Sequence, residues 1–119
     1  ATGRDEMVAA VRNEWTTGPG AVAMHEGFDR IAALGRAQGQ RVILAAVPEM
    51  HDLKNYPFGF ITEIQRAEAA KHGWTFVDLR PPLLGKPAEE YWVTEQDVHL
   101  NAAATALVAG RLLPLLSSG

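Results

Sequence analysis

Arg41-Val42-Ile43-Leu44-Ala45-Ala46-Val47 opens on one cation and then runs apolar without alternation. That is the pattern of a strand covered on both faces in a parallel sheet. A polar loop, Pro48 to Tyr56, follows it, and Pro57 is suited to the first turn of the next helix. Phe58, Ile61, Ile64 and Ala67 recur every three residues and predict a helical inner stripe that ends near His72-Gly73. Trp74-Thr75-Phe76-Val77-Asp78-Leu79 then reads as a second short strand. A strand, a helix and a strand in succession form a βαβ crossover, which implies parallel pairing and a right-handed connection.

Upstream, Met7, Val8, Val11 and Trp15 predict a helix over 4–15, broken by Thr16-Thr17-Gly18-Pro19-Gly20. Met24, Phe28, Ile31 and Leu34 predict a second helix over 21–38, with Gly39 as its stop. Downstream, Arg80 to Pro87 is irregular, and Asn101 is a good N-cap for a closing helix that runs to about Leu113, where Pro114 weakens the last turn. The order is α, α, β, α, β, α. A sheet of only two strands would leave both edges unpaired, so further strands are expected from elsewhere.

At 119 residues the chain is a single domain or the C-terminal portion of one. An apolar fraction of 47% and a charged fraction of 21% place it among globular proteins. A net charge of −3 offers no field for nucleic acid, and no apolar run is long enough for a membrane span. With no cysteine, disulfides and thiolate metal sites are excluded. The chain begins Ala1-Thr2-Gly3 without an initiator methionine, as expected of a processed terminus or a piece of something longer.

Chemistry concentrates in Trp92-Val93-Thr94-Glu95-Gln96-Asp97-Val98-His99-Leu100-Asn101. In an extended segment residues i and i+2 share a side, so Asp97 and His99 can face one cleft. A carboxylate that orients an imidazole, which in turn takes a proton from a hydroxyl, is two thirds of a nucleophilic triad. The remaining third is missing. The only serines are Ser117 and Ser118, and no threonine lies in a glycine-flanked strand-to-helix turn.

From about Phe28 to Leu116 the chain resembles the C-terminal half of the SGNH/GDSL hydrolases, a family of esterases, lipases and acetyl-transferring or deacetylating enzymes. The resemblance rests on Gly39-Gln40-Arg41-Val42-Ile43-Leu44 leading to Pro48-Glu49, on Gly73 to Leu79, on the Trp92-to-Asn101 block, and on the alanine-rich closing helix with Leu112, Leu113, Leu115 and Leu116. It implies an α/β, three-layer, parallel-sheet fold of flavodoxin-like type, present here as a C-terminal portion. It also implies His99 as general base, Asp97 as its orienting carboxylate, and a small-molecule or carbohydrate acyl ester as substrate, with no cofactor and no metal. The Gly-Asp-Ser block and the glycine and asparagine blocks of the oxyanion hole are absent, so the N-terminal remainder of the enzyme or a second chain is expected to supply them. The competing readings are a non-catalytic α/β binding or structural domain, and part of an O-acyltransferase acting on sugar hydroxyls.

Other signals have simpler readings. His25-Glu26 begins like a zinc-protease motif, but Asp29 stands where the second histidine belongs. Glu49, Met50, His51 and Asp52 follow the C-terminal end of a strand, where parallel-sheet proteins place their sites. Asp78 is placed to cap or pair with Arg80, Asn13 and Asn55 lie in no matching context, and Trp92 is near enough to the acid-histidine motif to shield it from water.

Overall fold

The computed structural model describes residues 3–117. Thr2 and Ser118 lie outside them. Helices α1 (Gly3–Thr16) and α2 (Pro19–Gln38) come first, followed by strand β1 (Ile43–Ala46), helix α3 (Gly59–His72) and strand β2 (Thr75–Asp78). Two 3-10 turns, Pro81–Leu83 and Ala88–Tyr91, lead to β3 (Trp92–Thr94), β4 (Asp97–Leu100) and α4 (Ala102–Ser117). The content is mixed α/β, with one small parallel sheet and one hairpin.

The parallel sheet pairs β1 with β2. Thr75 donates its N–H to the Val42 carbonyl at 3.3 Å, and Leu79 donates to Ala46 at 3.0 Å, so both strands advance together as parallel pairing requires. Coverage of β1 is thinner than its composition predicts: Ile43, Leu44 and Ala45 are half-buried, Ala46 is buried, and Val47 is 57% exposed. Among the described residues β2 is its only sheet neighbour.

The helix stops follow from glycine. Gly39 (φ 63°) and Gly73 (φ 71°) occupy the left-handed region that a side chain disfavours. At each, the glycine N–H and the next N–H turn back to helix carbonyls, from Gly39 and Gln40 to Arg36 and Gly35, and from Gly73 and Trp74 to Ala70 and Ala69.

The chain divides into two compact units. One comprises the chain up to Leu44 together with Phe58–Phe76 and holds α1, α2 and α3 packed on one another. Its buried apolar residues include Ala21, Ala32, Phe58 and Ala69. The inner faces differ from the expected stripes. Each three-residue step falls about 60° short of a full turn, so a strict three-residue repeat carries Ala67 to the side opposite Phe58. Ala67 is accordingly exposed, and Glu68 and Ala69 are buried instead. On α2, Ile31 and Leu34 face outward at 47% and 57% exposure, while the small residues Ala32 and Gly35 face inward. Gly35 sits so close that an added Cβ would lie 3.3 Å from the Val42 side chain.

Glu68, buried on α3, is the polar centre of this unit. One carboxylate oxygen contacts His25 Nδ1 of α2. The other lies 3.5 Å from His72 Nε2, which is 3.2 Å from Asp29, in orientations that close no hydrogen bond at either Glu68 Oε2 or His72 Nε2. Trp74 lies over the His72 ring at 4.8 Å and receives Phe28 edge-on at 5.8 Å.

The second unit comprises Ala45–Pro57 and the chain from Val77 onward. Its core is Met50, Leu53, Leu83, Ala88, Tyr91 and Ala104, with Trp92 and Leu100 packed against it. The β3–β4 hairpin was not expected. Its strands are short, and its Glu95-Gln96 turn contains neither glycine nor asparagine. Thr94 compensates, its hydroxyl oxygen accepting the N–H groups of Gln96 at 3.2 Å and Asp97 at 3.1 Å.

Helix α4 continues through Pro114 to Ser117, beyond the expected end at Leu113. Proline there removes a single donor near the terminus, and the half-buried Leu112 and Leu115 flank it. Asn101 caps the helix as its sequence context predicts, Oδ1 accepting the Ala104 N–H at 3.0 Å. Its Nδ2 also donates to the carbonyls of Glu90 at 2.8 Å and Trp92 at 3.2 Å. Asn101→Ala is therefore expected to lower stability by about 1–2 kcal/mol in urea denaturation, whereas Asn101→Asp, which keeps the cap acceptor and loses the two amide donors, should fall between that variant and the parent.

Candidate functional site

Asp97 and His99 lie on β4, two residues apart on an extended backbone. The Asp97 Oδ1 oxygen is 2.6 Å from His99 Nδ1 and also accepts the His99 backbone N–H at 3.1 Å. These two bonds from His99, the ring bond foremost, hold the Asp97 carboxyl below its ordinary value of 3.8. An ionised carboxylate only accepts, so Nδ1 carries the proton and, in the neutral ring, Nε2 presents a lone pair. That is the tautomer a general base needs.

The imidazole is open. Its side chain is 91% exposed, against 47% for Asp97. Trp92 does not shield it: the indole turns the other way, donating from Nε1 to the Met50 carbonyl at 2.7 Å and meeting the His51 ring edge-on at 6.0 Å.

Among the described residues, no hydroxyl hydrogen-bonds to the His99 ring, whose partner is Asp97. Thr94, the threonine nearest in sequence, is engaged by the hairpin turn. Thr16 and Thr17 return their hydroxyls to carbonyls of α1.

A second acid-histidine pair stands on the loop after β1. Glu49 Oε1 contacts His51 Nδ1, and the His51 backbone N–H donates to Glu49 Oε2 at 3.2 Å. Asp97-x-His99 has the same spacing, and that shared spacing is the sequence signal for the second pair. Tyr56 closes this loop by accepting the Glu49 N–H at 2.9 Å, and burial raises its phenol above the ordinary value of 10.0. Arg80 anchors the loop from the other side, Nε donating to the Leu53 carbonyl at 2.7 Å and a terminal nitrogen to Lys54 at 3.2 Å. Asp78 has the capping role anticipated for it, accepting the Arg80 N–H at 3.0 Å.

His25 and Asp29 belong to the Glu68 cluster and to no catalytic arrangement. Among the described residues, no group of three or more His, Asp or Glu side chains is arranged to hold a metal ion. No helix among them is long and apolar enough to cross a membrane.

No family model, no curated protein and no solved structure matches the chain.

The Asp97–His99 bond has a pH signature. A depressed carboxyl makes its contribution above the unfolded value and loses it as pH falls through the lower folded value. A carbon-13 titration of Asp97 should therefore give a midpoint below 3.8, and His99→Ala should return it toward that ordinary value.

Proposed function

We propose that this chain supplies the base half of a serine ester hydrolase of SGNH/GDSL type, with Asp97 orienting His99 and a nucleophilic serine contributed by residues outside the chain. One observation carries the reading: the ionised Asp97 fixes the His99 Nδ1 proton at 2.6 Å and leaves Nε2 on a widely exposed ring. In the complete site, Nε2 takes the serine proton as the hydroxyl attacks an acyl ester, then returns it to the departing alcohol. Water repeats the cycle to release the acid. A three-layer fold with a continued parallel sheet fits the thin coverage of β1 and the exposed Val47.

A second reading has its own support. Glu49 and His51 form the same contact two residues apart, so an acid-x-histidine contact can arise from local backbone geometry alone. On that reading the chain is a non-catalytic α/β domain.

An ester assay separates the two. With p-nitrophenyl acetate, the isolated chain should turn over no faster than an equal concentration of free imidazole. Joined to, or mixed with, a segment bearing a Gly-Asp-Ser block that completes the sheet, it should accelerate, and His99→Ala should then lower kcat by about 1,000-fold or more. Equal rates for the variant and the parent in the completed protein would leave only the non-catalytic reading.

A further inference from the structure

A cleft of about 720 Å³ opens in the second unit, between the loop after β1 and the segment joining the two 3-10 turns. That volume lies within the roughly 300–1,000 Å³ of small-molecule sites. Its charged walls are Lys54, Arg80 and Lys86 on one side of the balance and Asp52 and Glu89 on the other.

The excess is one cation, and the groups differ in how they are held. Asp52 turns Oδ1 into its own loop, accepting the Asn55 N–H at 2.9 Å. Arg80 is fixed by two carbonyls and stands 5.3 Å over the Tyr56 ring. Those partners are neutral, so they hold the guanidinium in place without cancelling its charge, and part of its five-donor fork stays unspent. Lys54 and Lys86 form no ion pair among the described residues.

We propose that this cleft binds the anionic group, carboxylate or phosphate, of a small polar molecule. Lys54 and Lys86 close on the anion from the two walls, and Arg80 supplies a pre-positioned charge at the floor of the loop it orders. A positioned guanidinium loses little freedom on binding, which is what distinguishes this cleft from scattered surface lysines. The assignment does not depend on ester hydrolysis and stands or falls separately from it.

The cleft contains its own reporter. His51 lines it and touches the Trp92 ring edge-on, whereas Trp15 and Trp74 belong to the other unit. The nitrogen-15-labelled chain would be titrated with sodium phosphate and, separately, with succinate, sodium chloride holding ionic strength constant. Saturable shifts are expected at the amides of Lys54 and Lys86 and at the Trp92 indole, with the Trp15 and Trp74 indoles still.

The Lys54→Ala/Lys86→Ala double variant should weaken binding by about tenfold or more, the loss of at least one charge-assisted hydrogen bond. Lys54→Arg/Lys86→Arg should retain it. Lys71→Ala, whose lysine pairs with Asp29 on the other unit, should leave it unchanged. Saturation by phosphate alone or by succinate alone would identify which anion the cleft takes. Linear, non-saturating shifts with both anions, or equal affinity in the parent and the alanine double variant, would overturn the proposal.

Discussion

Asn101 is the side chain on which the geometry around His99 depends. Its oxygen caps α4 through Ala104, its amide nitrogen donates to Glu90 and Trp92, and its backbone N–H donates to Tyr91 at 2.8 Å. One residue thereby fixes the start of the closing helix, the end of the second 3-10 turn and the first residue of the hairpin. His99 lies two residues before it. The cap fixes the chain where β4 ends, and its amide satisfies carbonyls of Glu90 and Trp92.

Each unit has a polar centre at which elements distant in sequence meet. In the second unit, Arg80 joins the end of β2 to the carbonyls of Leu53 and Lys54, and Trp92 joins the hairpin to Met50. In the first, the buried Glu68 joins α3 to α2 through His25. A buried carboxylate is expensive unless opposed by charge and hydrogen bonds. Its contact with His25 therefore restricts how α2 and α3 can slide past each other.

Much of this was legible in the sequence. Gly39 and Gly73 marked helix ends because only glycine suits the left-handed turn, and Asn101 was recognisable because an asparagine before an alanine-rich run is a cap. The parallel crossover followed from two short apolar runs separated by a helix. What escaped has physical reasons. The three-residue spacing from Phe58 to Ala67 rotates around an α-helix, so it could not identify the face that buries Glu68. The hairpin turn is stabilised by a threonine hydroxyl instead of a turn dipeptide. Of the site, the Asp97–His99 contact was readable from spacing alone, and so in principle was Glu49–His51. The openness of His99 was not, because it follows from the unforeseen hairpin: Trp92 pairs with Leu100 and both pack on the core, which leaves His99 on the other side of β4.

For His99 to act as a base, one proton has to be in the right place. Asp97 must hold it on Nδ1 of His99, so that Nε2 remains available to a hydroxyl. Nitrogen-15 shifts of the neutral His99 ring measure this directly. A protonated Nδ1 and a lone-pair Nε2 are expected in the parent, with loss of that preference in Asp97→Ala. A ring protonated on Nε2 in the parent, or the same tautomer balance with and without the Asp97 carboxylate, would contradict it.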